Sequence, residues 1–170
     1  MTSVQAADWA GRMVGNGQAI VLEDYLAIRP ERRDNGSMSD AVFDIRQFPV
    51  HLGLGARAEQ LEQFDGTPDW YQRYGEAHAA DGVEGRLVSM HSFGESWDTW
   101  EMHPKGDELV LCVSGAVVLH QEIGDDHHTV ELQAGEAVIN PPGAWHTADV
   151  TAPCTCVFVT AGEGTEVRPR

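Results

Sequence analysis

The chain reads as an all-β protein, a small barrel or jelly roll with a mixed, partly helical N-terminal elaboration. Three observations lead there. From residue 86 onward, short β-rich runs alternate with turn signals at close, regular spacing. No helix-length amphipathic pattern separates those runs, which argues against a parallel α/β sheet. The same half carries Glu101, His103, Glu108 and His146, metal-binding residue types at strand and turn spacing.

In chain order, Glu31 to Asp40 is polar, contains Asn-Gly-Ser and reads as a loop. Ala41 to Val50 reads as a strand stopped at Pro49, and Ala56 to Phe64 as a short helix. Thr67-Pro68-Asp69 is a helix start: a hydroxyl cap, proline at the first helical position, then an acid. Trp70, Tyr71, Tyr74, Ala77 and His78 recur on one helical face, and Gly82 marks the end. Strands are predicted at Arg86–Phe93, Trp97–His103, Glu108–Val113, Ala116–Glu122, His128–Leu132, Ala137–Asn140, Trp145–Val150 and Thr155–Thr160. Between them stand turn signals such as Pro104-Lys-Gly-Asp107, Ser114-Gly115 and Pro141-Pro-Gly143. Residues 1–84 are expected to pack on the barrel as an elaboration, and residues 85–170 to form the barrel core.

Composition narrows the function classes. Against 11 Lys+Arg stand 27 Asp+Glu, a net charge of −16. Such a surface repels phosphate backbones and anionic headgroups, so neither nucleic acid nor a membrane is an expected partner. Three cysteines in 170 residues do not suggest a disulfide framework, and Cys154 and Cys156 read as core thiols on one strand face. No targeting segment or membrane span is read, and the expected location is the cytoplasm.

Residues two apart on a strand share a face, so Glu101 and His103 point together. The Pro-Lys-Gly-Asp turn then brings Glu108 back toward His103, and His146 opens a later strand. Alternation adds a pocket wall: Trp97 and Thr99 with Glu101, Val110 and Cys112 with Glu108, Ala148 with His146, and Phe158. No Arg or Lys is read as pointing inward. Lys105 reads as a solvated turn charge and His127-His128 as an exposed hairpin end. His51, His78 and His120 show no partner pattern.

These segments resemble the two sequence motifs of the cupin family. Four residues separate His103 from Glu108, and six separate Glu108 from Gly115, as in the first motif. Gly135, Pro141, Gly143 and His146 fall on their places in the second. The departures are Glu101 where the family has its first His, Glu95 where it has its opening Gly, and Val150 where it has its closing Asn. The resemblance implies a double-stranded β-helix and a divalent metal held by Glu101, His103, Glu108 and His146. Glu101 is read as a ligand in preference to a general base. Two imidazoles and two carboxylates favour Fe or Mn, with Zn and Ni possible. The resemblance further implies a small-molecule ligand and a homodimer. The reading is a metal-dependent enzyme, oxygenase-type first and isomerase or lyase next, with His91 as candidate base. The alternative is a non-catalytic binding or sensor barrel with a structural or capture metal.

Overall fold

The computed structural model describes residues 42–170, so the loop read at Glu31 to Asp40 lies outside the described residues. Eleven strands and one α-helix follow in order. They are β1 (Val50–Gly53), β2 (Arg57–Gln60), α1 (Pro68–Ala77), β3 (Arg86–Phe93), β4 (Thr99–Met102), β5 (Glu108–Ser114), β6 (Ala116–Ile123), β7 (Asp126–Gln133), β8 (Ala137–Asn140), β9 (Trp145–Asp149), β10 (Cys154–Thr160) and β11 (Glu166–Pro169). They pair antiparallel into two sheets, ordered β2-β1-β3-β10-β5-β8 and β11-β4-β9-β6-β7. This is the all-β jelly-roll architecture the turn spacing predicts.

Alternation decides what fills the space between the sheets. Along β5, Glu108, Val110 and Cys112 are buried while Leu109 and Val113 are exposed. Val117 and Leu119 from β6, Leu132 from β7, Ala148 from β9, Val150, and Cys154, Cys156 and Phe158 from β10 join Val110 and Cys112 in one core cluster. All three cysteines are free thiols sealed inside that core. On the outer face of the larger sheet, direct cross-strand partners form an uncharged row, Val50–Val88–Val159–Leu109–Ile139, across five strands. Gly115 turns β5 into β6 at φ 74°, and a Cβ there would lie 2.4 Å from the Pro153 carbonyl oxygen. Both facts demand glycine.

The helix starts as its sequence predicts. Thr67 caps it, its hydroxyl accepting from the Trp70 N–H at 3.3 Å, and Pro68 and Asp69 follow. Trp70 is its buried anchor, packed with Leu61 and Leu87 and against Phe64 and Tyr74. Burying such a side chain is worth about 2–3 kcal/mol.

Two expectations are corrected upstream of the helix. Residues 42–49 are irregular with a turn, and the strand begins only at Val50. Pro49 offers no N–H to a ladder, and Asp44 instead ties the turn by accepting from the Arg46 side chain. In place of a helix over Ala56 to Phe64 there is a single 3-10 turn, Leu54–Ala56, and then β2. Gly55 at φ 72° breaks any longer helix, and pairing of β2 with β1 wins over weak local helix preference. Three strands lie outside the predicted set: β1 extends the larger sheet through β3, β2 edges that sheet, and β11 edges the smaller one.

The upstream region also holds a buried polar cluster. His51, 1% exposed, faces the Tyr74 hydroxyl through Nδ1 at 2.9 Å and the Asp81 carboxylate through Nε2 at 2.7 Å. Arg57 donates to the same Asp81 oxygen at 2.9 Å.

Candidate metal centre

Glu101 lies on β4 and is the direct cross-strand partner of His146 on β9. His103 falls just past the end of β4, so that strand is shorter than predicted. Its backbone is held instead by the Pro-Pro-Gly turn: the Gly143 N–H donates to the His103 carbonyl at 2.9 Å. Gly143 takes φ 81°, a conformation that favours glycine. This backbone bond adds to the β5–β8 pairing in joining the two motif segments. Glu108 opens β5, where Asn140 of β8 and Thr160 of β10 are its cross-strand partners.

The four residues converge. One ligand atom from each of Glu101, His103 and His146 lies within 4.8 Å of the other two. Glu108 approaches both rings, Oε1 at 3.3 Å from His103 Nε2 and Oε2 at 3.0 Å from His146 Nε2. The side chains of His103, Glu108 and His146 are 3%, 4% and 0% exposed, whereas Glu101 is 37% exposed. The centre is therefore closed except on the Glu101 side.

The hydrogen bonds behind the rings decide what the inward nitrogens are. His146 Nδ1 lies 3.2 Å from the Ala144 carbonyl, which only accepts, so Nδ1 carries the proton. His103 Nδ1 lies 2.8 Å from the Thr165 hydroxyl. That hydroxyl donates to the Gly162 carbonyl at 2.9 Å and therefore accepts from the ring. Both neutral rings then present a bare lone pair at Nε2. These two Nε2 atoms are buried and have no hydrogen-bond partner, although carboxylate oxygens stand close by. The nitrogens' axes thus miss the Glu108 oxygens. Lone pairs packed against a carboxylate repel it unless a cation lies among them, and the geometry favours an ion over an aligned proton. The donor set, imidazole nitrogen with carboxylate oxygen, fits a divalent metal.

Glu108 is held from behind as well. Thr160 donates its hydroxyl proton to Oε1 at 2.7 Å, and the Asn140 amide donates to Oε2 at 2.9 Å. Gln121 donates to Asn140 Oδ1 at 2.6 Å, which orients that amide. Burial alone would push the Glu108 carboxyl up; two protonated imidazoles beside it would outweigh that and hold it below the carboxylate range, the part a cation takes when the rings are neutral. For His146, burial lowers proton affinity and the Glu108 carboxylate overcomes it, a net rise. Glu101 is raised, first by burial and, against the pull of the two rings, by the Glu108 charge.

The predicted wall residues divide. Val110, Cys112 and Ala148 are 0–1% exposed and form packed core beside the centre, with Phe158. Trp97 stands 6.4 Å from the His146 ring and 6.0 Å from Phe158. Thr99 accepts the Thr147 hydroxyl through its carbonyl at 2.7 Å. His91 sits in an aromatic row, 5.4 Å from Phe64 and 6.0 Å from Phe158, and burial lowers its proton affinity. Among the described residues no hydrogen bond ties it to Glu101, His103, Glu108 or His146. Lys105 and His127-His128 are exposed, as read. Asn140, Thr160, Gln121 and Thr165 were not singled out by sequence. Their roles depend on cross-strand register, which spacing along the chain does not encode.

Residues 92–164 match the family described as Cupin domain. No curated protein matches the chain. Among solved structures, a protein from Neisseria meningitidis is similar at 16% identity and TM-score 0.39, over 44% of this chain and 71% of that one. An oxalate oxidase is similar at 17% identity and TM-score 0.41, over 47% and 44%. A hydroquinone 1,2-dioxygenase from Sphingomonas sp. TTNP3, with 4-hydroxybenzoate bound, is similar at 15% identity and TM-score 0.37, over 43% and 57%. The chain thus spans less than two thirds of the length of these two enzymes.

Proposed function

We propose that the cupin domain at residues 92–164 makes this chain a metal-dependent enzyme acting on a small organic molecule, with oxygenase-type chemistry as the leading reading. The observation that carries it is the pair of buried, unpartnered Nε2 atoms on His103 and His146, fixed from behind and facing a carboxylate. Glu101, His103, Glu108 and His146 would hold one divalent ion, Fe or Mn by the hardness of the carboxylates. When bound, that ion would supply a Lewis acid for a small organic substrate.

The chain's own residues define the rest. Thr165 and the Ala144 carbonyl keep both rings in the binding tautomer. Asn140 and Thr160 keep Glu108 oriented. The sealed faces at His103, Glu108 and His146 keep water out, so substrate approaches past Glu101. If Glu101 does not hold the ion, it would stand at that open side as a proton acceptor.

A second reading is a non-catalytic binding barrel. It is favoured by one fact: among the described residues, no separate acid or base hydrogen-bonds to Glu101 or to the two rings' Nε2 atoms. Elemental analysis of wild type, Glu101→Ala and His146→Ala tests the centre. Near-stoichiometric iron or manganese in wild type, lost in both variants, is expected. Metal kept in Glu101→Ala alone reassigns Glu101 to proton transfer. No metal in wild type after reconstitution with Fe²⁺, Mn²⁺, Zn²⁺ and Ni²⁺ overturns the enzyme reading. Oxygen uptake with small aromatics then separates catalyst from binder.

A further inference from the structure

The three cysteines stand outside the candidate centre, and the strand register singles out one pair among them. Cys112 on β5 and Cys156 on β10 are direct cross-strand partners. They are 0% and 1% exposed, so both face the space between the sheets. The register of the ladder shifts between Thr155 and Cys156, which takes Cys154 out of step with that pair. Cys154 lies instead against the β5–β6 turn, where a Cβ added to Gly115 would stand 3.1 Å from its own.

Covalent geometry separates the pairs further. Direct cross-strand partners have Cα atoms about 4.5–5.5 Å apart, inside the window of about 4.4–6.8 Å that a disulfide spans. Their Cβ atoms need to approach by only about 1 Å. Cys154 and Cys156 lie two apart on one strand, with side chains pointing the same way across about 6.6 Å, and do not meet that requirement. The Cys112 thiol donates weakly to the Ser114 carbonyl at 3.5 Å, a bond that rotation about its Cα–Cβ axis gives up.

We propose that Cys112 and Cys156 are a latent dithiol, joined by peroxide-class oxidants into a cross-strand disulfide that staples β5 to β10. One thiol loses its proton and attacks a peroxide oxygen. The S–O bond forms, the O–O bond breaks, and the leaving hydroxide takes up the proton as water. The second thiol then attacks the sulfenic sulfur: the S–S bond forms, the S–O bond breaks, and a second water leaves. Two thiols are oxidised by two electrons in all, and one peroxide is reduced to two waters. Burial pushes the Cys156 thiol up to about 12, so the bond accumulates slowly. Two steps along the same ladder, through Val110 and Phe158, stand Glu108 and Thr160. The staple therefore locks the register on which the bond from Thr160 to Glu108 depends. It also closes a long loop, which stabilises the folded chain by restricting the unfolded one.

The test exposes the native full chain to hydrogen peroxide with a chelator present, blocks remaining thiols and cleaves after glutamate. Cys112 then falls in the peptide Leu109 to Glu122, and Cys154 and Cys156 in Ala137 to Glu163. The expected product is these two peptides joined, with fragmentation at Thr155 placing the bond on Cys156. Cys154→Ala should form the same bond. The oxidised chain should melt about 5 °C or more above the same sample after dithiothreitol reduction. A bond to Cys154 from either partner, or sulfinic acid with no bond, overturns the pairing. A melting temperature that reduction leaves unchanged or raises overturns the staple. No metal takes part, so either failure leaves the candidate centre untouched.

Discussion

At the scale of single residues, the centre depends on atoms that carry no motif. Thr165 spends its proton on Gly162 and its lone pair on His103, and so sets which ring nitrogen is free. Thr165→Val keeps the shape and removes both bonds. It is expected to weaken Co²⁺ binding about 10–100-fold, and Thr165→Ser to restore most of it, by competition with a chromophoric chelator. Unchanged affinity in the valine variant would show that the ring needs no such support. The convergence of Glu101, His103 and Glu108 was legible, because it follows from strand alternation and a turn. Thr165 was not, since it lies 62 residues from His103 and meets it only when β11 docks. Asn140 and Thr160 were hidden for a related reason: only the register of β5 with β8 and β10 puts them opposite Glu108.

Among elements, α1 is the part whose start was read and whose anchorage was not. The Thr-Pro-Asp cap sits where expected. What fixes the helix to β1 is the His51 cluster, and His51 and Tyr74 stand 23 residues apart. Asp81 is the charged member. The hydrogen bond from His51, with the nearby Arg57 charge, outweighs burial and lowers its pKa below the ordinary 3.8. A carboxyl depressed in the folded state contributes stability that is present above its unfolded value, about pH 4, and is lost as pH falls through the lower folded value. Asp81→Asn is therefore expected to lower stability at neutral pH and to flatten the fall below about pH 4. Urea titrations at pH 7 and pH 3, read by tryptophan fluorescence, check both; an identical pH dependence in the two proteins would remove Asp81 from the account. The missed β2 has a different origin. Its four residues, Arg-Ala-Glu-Gln, are all exposed and favour a strand only because β1 offers a partner.

For the whole molecule, charge distribution is the telling property. A chain of net charge −16 keeps one row of five aliphatic residues, from Val50 to Ile139, free of any charge across the larger sheet. Ile139 is 59% exposed there and Leu109 37%. We propose this row as a contact between two copies, the homodimer being an expectation from sequence. Ile139→Lys is expected to shift sedimentation from dimer toward monomer at micromolar concentration; a wild type that is monomeric throughout assigns the row no such role. The fold class was legible at this scale because turn spacing and alternation are properties of the entire barrel half, not of any one contact.

The three cysteines give the barrel a built-in clock. Cys112, Cys154 and Cys156 stand between the two sheets with 0–2% of their surface open, and none is bonded to another. Burial also keeps Cys154 and Cys156 protonated, and hence slow to react even when briefly reached. A thiol reagent can therefore register them only when the sheets part. The rate at which the chain takes up label, in the absence of denaturant, becomes a direct count of how often the sandwich breathes open.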